Sequence, residues 1–173
     1  DGLGLDWSST RLSTFNISDL TQPAVADTLM LSPVDDPENH RWTWSYSEAK
    51  YEHKAFQYWG PKEMLAVPLS TYRWVESDDG WYYEYVSKAI IVNVDEATGN
   101  MSIHGEVNHS SLLNHEDVNH WWGGDENIRR TIFMGDFIYA FSGAGITVHD
   151  LTSMELTDVV TFDIEFPKYA YYA

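Results

Sequence analysis

One pattern occurs three times in this chain and limits it more than anything else. "STFNISDLTQPAVADTLML" (13–31), "AIIVNVDEATGNMSIHGEV" (89–107) and "GITVHDLTSMELTDVVTFD" (145–163) each read as an alternating strand, a polar turn holding an aspartate, and a second alternating strand. Period-2 alternation places one face of each strand against a core and the other toward water, so each copy is a hairpin. Asp19, Asp95 and Asp150 sit where a side-chain carboxylate closes the turn on backbone amides just ahead, and Gly99 supplies a left-handed position. The copies are unevenly spaced, so insertions separate equivalent units.

The intervening segments carry more strands. "AFQYW" and "MLAVPL" flank "GPKE", where Gly60 and Pro61 reverse the chain, and "TIFMG" and "FIYAF" flank the short connection Gly135–Asp136. "SGAG" places Gly143 and Gly145 where positive φ is expected. Antiparallel hairpins are expected around Gly60–Lys62, Asp95–Gly99 and Gly135–Asp136, with helix nearly absent. Hairpin, strand, aspartate turn and outer strand make a four-stranded meander, the unit that β-propellers repeat radially. The fold class is therefore all-β, a partial propeller of about two and a half blades. Its parts are the outer strands of one blade (13–31), a second blade (53–107), an inter-blade loop (108–128), a third blade (129–163) and a C-terminal extension (164–173).

Composition excludes several functions. At 43% hydrophobic and 15% aromatic residues, a chain of 173 residues builds a core and is not disordered. Its 27 acidic against 10 basic residues give a formal net charge of -17, which repels nucleic acid phosphates and anionic membranes. Cysteine is absent, so disulfides and thiolate chemistry are unavailable. The sequence contains no apolar run long enough to span a membrane and no signal-peptide pattern, and its first residues, "DGLGLDWSST", fit a start made by cleavage or trimming.

"SEAKYEHKAFQYWGPKEMLAVPL" (47–69) and "HEDVNHWWGGDENIRRTIFMGDFIYAFSGAGITVHDLTSMEL" (115–156) carry a resemblance. With a Ser-x-Ala-x-(Tyr/Trp)-(Asp/Glu)-His-Lys-Ala-Phe segment and an Ile-Arg-Arg-x-(Ile/Leu)-(Phe/Tyr)-x-Gly-Asp segment, the chain resembles the last two to three blades of a prokaryotic family of secreted proteins with a C-terminal β-propeller domain. The resemblance spans about Ser13 to Phe162. It implies a propeller and a secreted or cell-surface location, and it transfers no catalytic residue.

The residues offer two kinds of site. His104, His109, His115 and His120, with Glu116 and Asp117, cluster in "HGEVNHSSLLNHEDVNHWW", and imidazoles with carboxylates suit a divalent transition metal. The spacing matches neither H-E-x-x-H nor a zinc finger. Trp42, Trp44, Tyr46, Trp81, Trp121 and Trp122, read in or beside loops with Trp74, Tyr82 and Tyr83, are candidates to stack on sugar rings or anchor a protein. His53 is expected to anchor one blade against the next, and Arg129 and Arg130 to pair with carboxylates of an adjacent blade. Asn16, Asn100 and Asn108 stand in Asn-x-Ser sequons, the acceptors of N-glycosylation. No nucleophile elbow, phosphate loop or dinucleotide fingerprint occurs.

These features point to a noncatalytic secreted or surface segment acting in protein binding or extracellular assembly. Its expected partners are further blades of the same or another chain and copies of itself joined through terminal strands, residues 159–173 pairing outside the segment. A metal-dependent extracellular enzyme using the 104–120 loop, with a divalent cation as its cofactor, is the alternative.

Overall fold

The computed structural model describes residues 9–32, 44–77, 80–109, 112 and 127–162, excepting the side chains at 73–77, 81, 83 and 84. The described residues form three antiparallel sheets. The first is the hairpin β1 (Arg11–Asn16) and β2 (Ala24–Met30). The second holds β3 (Ser45–Tyr46), β4 (Gln57–Trp59), β5 (Met64–Ser77), β6 (Gly80–Val94) and β7 (Met101–Asn108), with β3 and β4 both paired to β5. The third is the meander β8 (Arg130–Met134), β9 (Phe137–Phe141), β10 (Gly145–Asp150) and β11 (Leu156–Thr161). Helical structure among the described residues amounts to 3-10 turns such as Glu48–Lys50, His53–Ala55 and Gly60–Lys62.

All three copies of the repeat are hairpins, β1–β2, β6–β7 and β10–β11. At Gly135–Asp136 the register joins Met134 to Phe137, so the loop has two residues. Positive φ falls on Gly135 alone of the pair, the pattern of a type II′ turn, which follows the twist of the strands it joins. At "GPKE" the left-handed position is Glu63, at φ 51°. Gly143 and Gly145 depart from expectation, because neither has positive φ. Gly145 is needed for space instead: a β-carbon there would lie 2.4 Å from the carbonyl oxygen of Val160 on the neighbouring strand.

The middle sheet is buried on both faces. Along β5 and β6 successive residues alternate between two cores, so the strands read as nearly continuous apolar runs. Ala66, Ala89, Ile91 and Val107 pack with Ile128, Phe133, Ile138, Ala140 and Leu151 toward the third sheet. Leu65, Val67, Leu69, Ile90 and Val92 pack with Leu12, Leu29 and Leu31 toward the first hairpin. Each fully buried isoleucine or leucine contributes about 1.5–3 kcal/mol. Trp59 stacks on Phe133 with ring centroids 6.3 Å apart, joining the second and third sheets near their first strands.

Polar contacts set the spacing of the stack. Thr14 Oγ1 donates to Gly99 O at 2.6 Å, and the backbone amide of Met101 donates to Asp27 Oδ2 at 2.7 Å, seating the Asp95 turn on the first hairpin. One sheet later, the Asp150 turn sits on β7: a β-carbon at Gly105 would meet Met154 Cγ at 2.6 Å, and His104 Nε2 lies 2.6 Å from Leu151 O. The same turn docks on the preceding sheet twice. At the base of the hairpin, the buried side chains of Thr10, Ser32 and Ser45 form a hydroxyl network, Ser32 Oγ lying 2.6 Å from Ser45 Oγ, which joins the first sheet to β3.

Trp74, Trp81, Tyr82 and Tyr83, read in or beside loops, are on the strands of the long β5–β6 hairpin, Trp81 next to its end; the register runs unbroken from Met64–Asn93 to Ser77–Gly80. The two strands stay in register as far as Ser77 and Gly80, so the hairpin extends through this segment. Val159, Val160 and Thr161 belong to β11, which pairs with β10 along one edge and ends the sheet on the other. Residues 163–173 lie outside the described residues.

Candidate functional site

The aspartate turns are built alike. Asp95 Oδ1 accepts from the amides of Ala97 and Thr98, both at 2.9 Å, and Asp150 Oδ1 accepts from those of Thr152 and Ser153 at 2.8 and 2.9 Å. Gly99 and Met154 then occupy the equivalent positive-φ position, at 78° and 59°. Asp19 makes the shorter form, accepting from the Thr21 hydroxyl at 2.7 Å and the Thr21 amide at 2.9 Å. These hydrogen bonds hold all three carboxyls below the ordinary aspartate value of 3.8, the Thr21 hydroxyl first for Asp19, the Thr98 amide first for Asp95 and the Ser153 amide first for Asp150. A depressed carboxyl pKa means stability present above 3.8 and lost as pH falls through the lower folded-state value. Carboxyl-carbon NMR titration is expected to place all three midpoints below 3.8; ordinary midpoints would show that the turns open in solution.

Histidines fill the seam between the second and third sheets. His109 is fully buried, with Nε2 2.7 Å from Thr147 Oγ1. His149, two residues along β10 and on the same face as Thr147, is also buried and places Nδ1 3.2 Å from Met154 O. His109 Nδ1, His149 Nε2 and Thr131 Oγ1 have no hydrogen-bond partner among the described residues. Burial, with a smaller contribution from His149, lowers the pKa of His109 to about 4. The imidazole is therefore neutral at pH 7. His109 on Thr147 and His104 on Leu151 O make the inter-sheet contacts that the sequence suggested for His53. His53 instead enters a 3-10 turn capped by Glu52, whose Oε1 accepts from the Lys54 amide, and its side chain is 88% exposed. The cap turns the chain before the inner strand begins and points the ring outward.

A row of aromatic rings crosses the other end of the middle sheet. Tyr46 stacks with Tyr51 at 6.0 Å and with Trp44 at 6.2 Å; Trp44 meets Tyr72 at 6.0 Å, and Tyr72 meets Tyr85 edge-on at 5.3 Å. Tyr72 and Tyr85 are register partners across the β5–β6 hairpin, so strand pairing itself brings them together. Beside the row is a cleft lined by Tyr46, Glu48, Ser70, Asn127 and Arg129, with Leu69 among the apolar residues beneath. Ser70 Oγ donates to Asn127 Oδ1 at 3.0 Å, and the Tyr85 hydroxyl donates to the same oxygen. Tyr46 donates to Glu48 Oε2 at 3.4 Å, and burial first, then Glu48, raises its pKa. Arg129 is exposed and makes no ion pair among the described residues, nor does Arg130, so the expected pairing with an adjacent sheet is corrected. Arg130 lies within electrostatic reach of Glu52 and Arg129 of the neutral Tyr46 phenol, neither in an ion-pair contact.

Three stacked antiparallel sheets, joined in order by the same docking turn, are the arrangement of propeller blades. The family model described as beta propeller domain matches residues 2–154. The chain belongs to that family. No curated protein and no solved structure gives a significant match.

The propeller places the sequence candidates unevenly. His104 and His109 are drawn to the seam between blades, each on a protein oxygen, and among the described residues no three histidine, cysteine, aspartate or glutamate side chains converge to hold a metal ion. His115, Glu116, Asp117 and His120 lie outside the described residues, as do Trp42, Trp121, Trp122 and the side chain of Trp81. Trp44 and Tyr46 are brought together in the aromatic row. Of the sequons, Asn16 accepts from the Ser18 amide at 2.9 Å and the Ser18 hydroxyl at 2.7 Å, Asn100 is exposed in the Asp95 turn, and Asn108 ends β7 half-buried. Ser70, Tyr72, Tyr85 and Asn127 were missed. The alternation of "STYRWVES" and "YYEYVSK" around a short acidic turn was the signal that would have found the two tyrosines.

Proposed function

We propose that this propeller chain is a noncatalytic module for protein binding or extracellular assembly, secreted or displayed at the cell surface, whose flanking blades pair face to face with further β-sheet. One observation carries the reading: the middle blade is covered on both faces, while the blades on either side present apolar residues to solvent. On the first hairpin Phe15 and Val25 are 60% and 59% exposed. On the third blade Ile132, Met134 and Phe137 are exposed across β8 and β9. Apolar surface spread over two strands in this way is the surface that the middle blade buries against its own neighbours. Closing a ring takes at least about four blades, so sheet from elsewhere in the polypeptide or from another chain is the fitting occupant.

Charge favours specific pairing over clumping, since a net charge of -17 sets copies apart until complementary faces meet. Light scattering across a concentration series is expected to show association that Ile132→Glu with Met134→Glu abolishes, while the circular dichroism of the β-sheet stays unchanged. A chain that stayed monomeric throughout, and gained no partner from extracellular fractions of its source, would refute the reading. Recovery of the protein only inside the cell would refute its location.

A further inference from the structure

The cleft beside the aromatic row, formed where one blade closes on the next, has the chemistry of a ligand site. Its charges balance within the site, with one guanidinium, Arg129, and one carboxylate, Glu48. The Arg129 side chain is exposed and without an ion pair among the described residues of a chain that carries 27 acidic side chains. An anion is repelled by the protein's overall field, and a cation meets Arg129, so a neutral ligand is the one that both fields allow. The hydrogen-bonding groups are mixed. Asn127 Oδ1 is occupied by Ser70 and Tyr85, which fixes the amide and leaves its nitrogen, with no hydrogen bond among the described residues, as a held donor. Glu48 adds an acceptor and Arg129 further donors. Next to these groups runs the Tyr51, Tyr46 and Trp44 row, with interplanar angles of 19° and 8°; Tyr51 is 80% exposed and Trp44 39%.

Exposed aromatic rings at the two ends of a stack, flanked by a few fixed donors and acceptors with no net charge, match a ligand that has a C–H face and hydroxyl edges. We propose that the cleft and the exposed rings beside it bind a neutral oligosaccharide, a pyranose face lying on the exposed ring of Tyr51 or Trp44, at the ends of the stack, and hydroxyls meeting Glu48, the Asn127 amide nitrogen and Arg129. This specifies one ligand for the binding role proposed above and rests on that reading. An extended peptide would use aromatic anchors as well, but it brings backbone amides in regular register and needs a sheet edge or an apolar groove. The lining here is mainly polar and set by side chains.

The test is saturation-transfer NMR and calorimetry on the full chain with neutral tetrasaccharides of glucose in both linkages, mannose, galactose, xylose and N-acetylglucosamine. At least one is expected to bind with a dissociation constant of about 1 mM or tighter. Tyr51→Ala removes an exposed ring and is expected to weaken binding about tenfold. Asn127→Asp keeps an oxygen for Ser70 and Tyr85 but replaces the donor, and is expected to abolish binding while the thermal midpoint stays near that of the parent. No saturation transfer from any sugar at about 10 mM, or binding that both variants leave intact, would overturn the proposal. Association by light scattering is measured on the same samples. Loss of sugar binding with association intact would reject the cleft alone, whereas a monomer that binds sugar would reject the assembly reading alone.

Discussion

Gly145→Ala is expected to destabilise the protein by about 3 kcal/mol, at the upper end of the cost of forcing a methyl group into a packed interior. The new β-carbon would stand 2.4 Å from Val160 O and 3.2 Å from Thr161 Cα. Both are backbone atoms of β11, so no side chain can swing aside, and relief requires parting β10 from β11. The cost extends beyond one contact. Gly145 O accepts from the Ser142 amide at 3.0 Å, and the Gly145 amide donates to Ser142 Oγ at 3.2 Å, so a shift at this residue also opens the turn that leads into β10. Urea unfolding followed by tryptophan fluorescence measures it. A loss below about 1 kcal/mol would show that the two strands stand further apart in solution.

Acidification is expected to weaken the seam between the second and third blades before it reaches the aspartate turns. His109 is neutral when folded, its pKa lowered to about 4, and takes up a proton near 6.5 once unfolded. The unfolded state therefore binds more protons between these values, and stability falls as pH drops through that window. One pKa unit corresponds to about 1.4 kcal/mol, so the loss is about 3 kcal/mol between pH 7 and 4. The aspartate turns, with carboxyls held below 3.8, contribute little to this loss until the pH nears that value. His109→Gln keeps a polar group within reach of Thr147 and cannot titrate, and is expected to flatten the profile in this window. An unfolding free energy that falls equally in the variant would place the proton elsewhere.

Much of the fold was legible because the strands and their turns are local objects. Alternation in "IFM" and "FIYAF", glycine at position 135 and an aspartate four residues ahead of the positive-φ position are all short-range signals, and each led to the hairpin that forms. The β5–β6 hairpin was only half legible. Its outer part was read only as lying in or beside loops, whereas the register shows paired strands as far as Ser77 and Gly80.

Side chains were less legible than strands, because their roles depend on which sheet lies opposite. His104, His109 and His53 are similar in sequence terms, each beside polar residues. Stacking decides between them: the third blade covers His109 completely, His104 reaches Leu151, and the cap at Glu52 leaves His53 in water. Gly145 followed the same logic, for a glycine required by a neighbouring backbone looks in sequence like one required by a turn.

By itself, the sequence determined the all-β class, the repeated hairpin and its aspartate turn, since period-2 alternation and Asx hydrogen bonds act over a few residues. Only the tertiary structure decided which faces stack, which histidines are buried, and that Tyr46, Glu48, Ser70, Asn127 and Arg129 share one cleft. Ser70 and Asn127 are 57 residues apart, and contact over such a separation comes from one blade closing on the next, which no local pattern encodes.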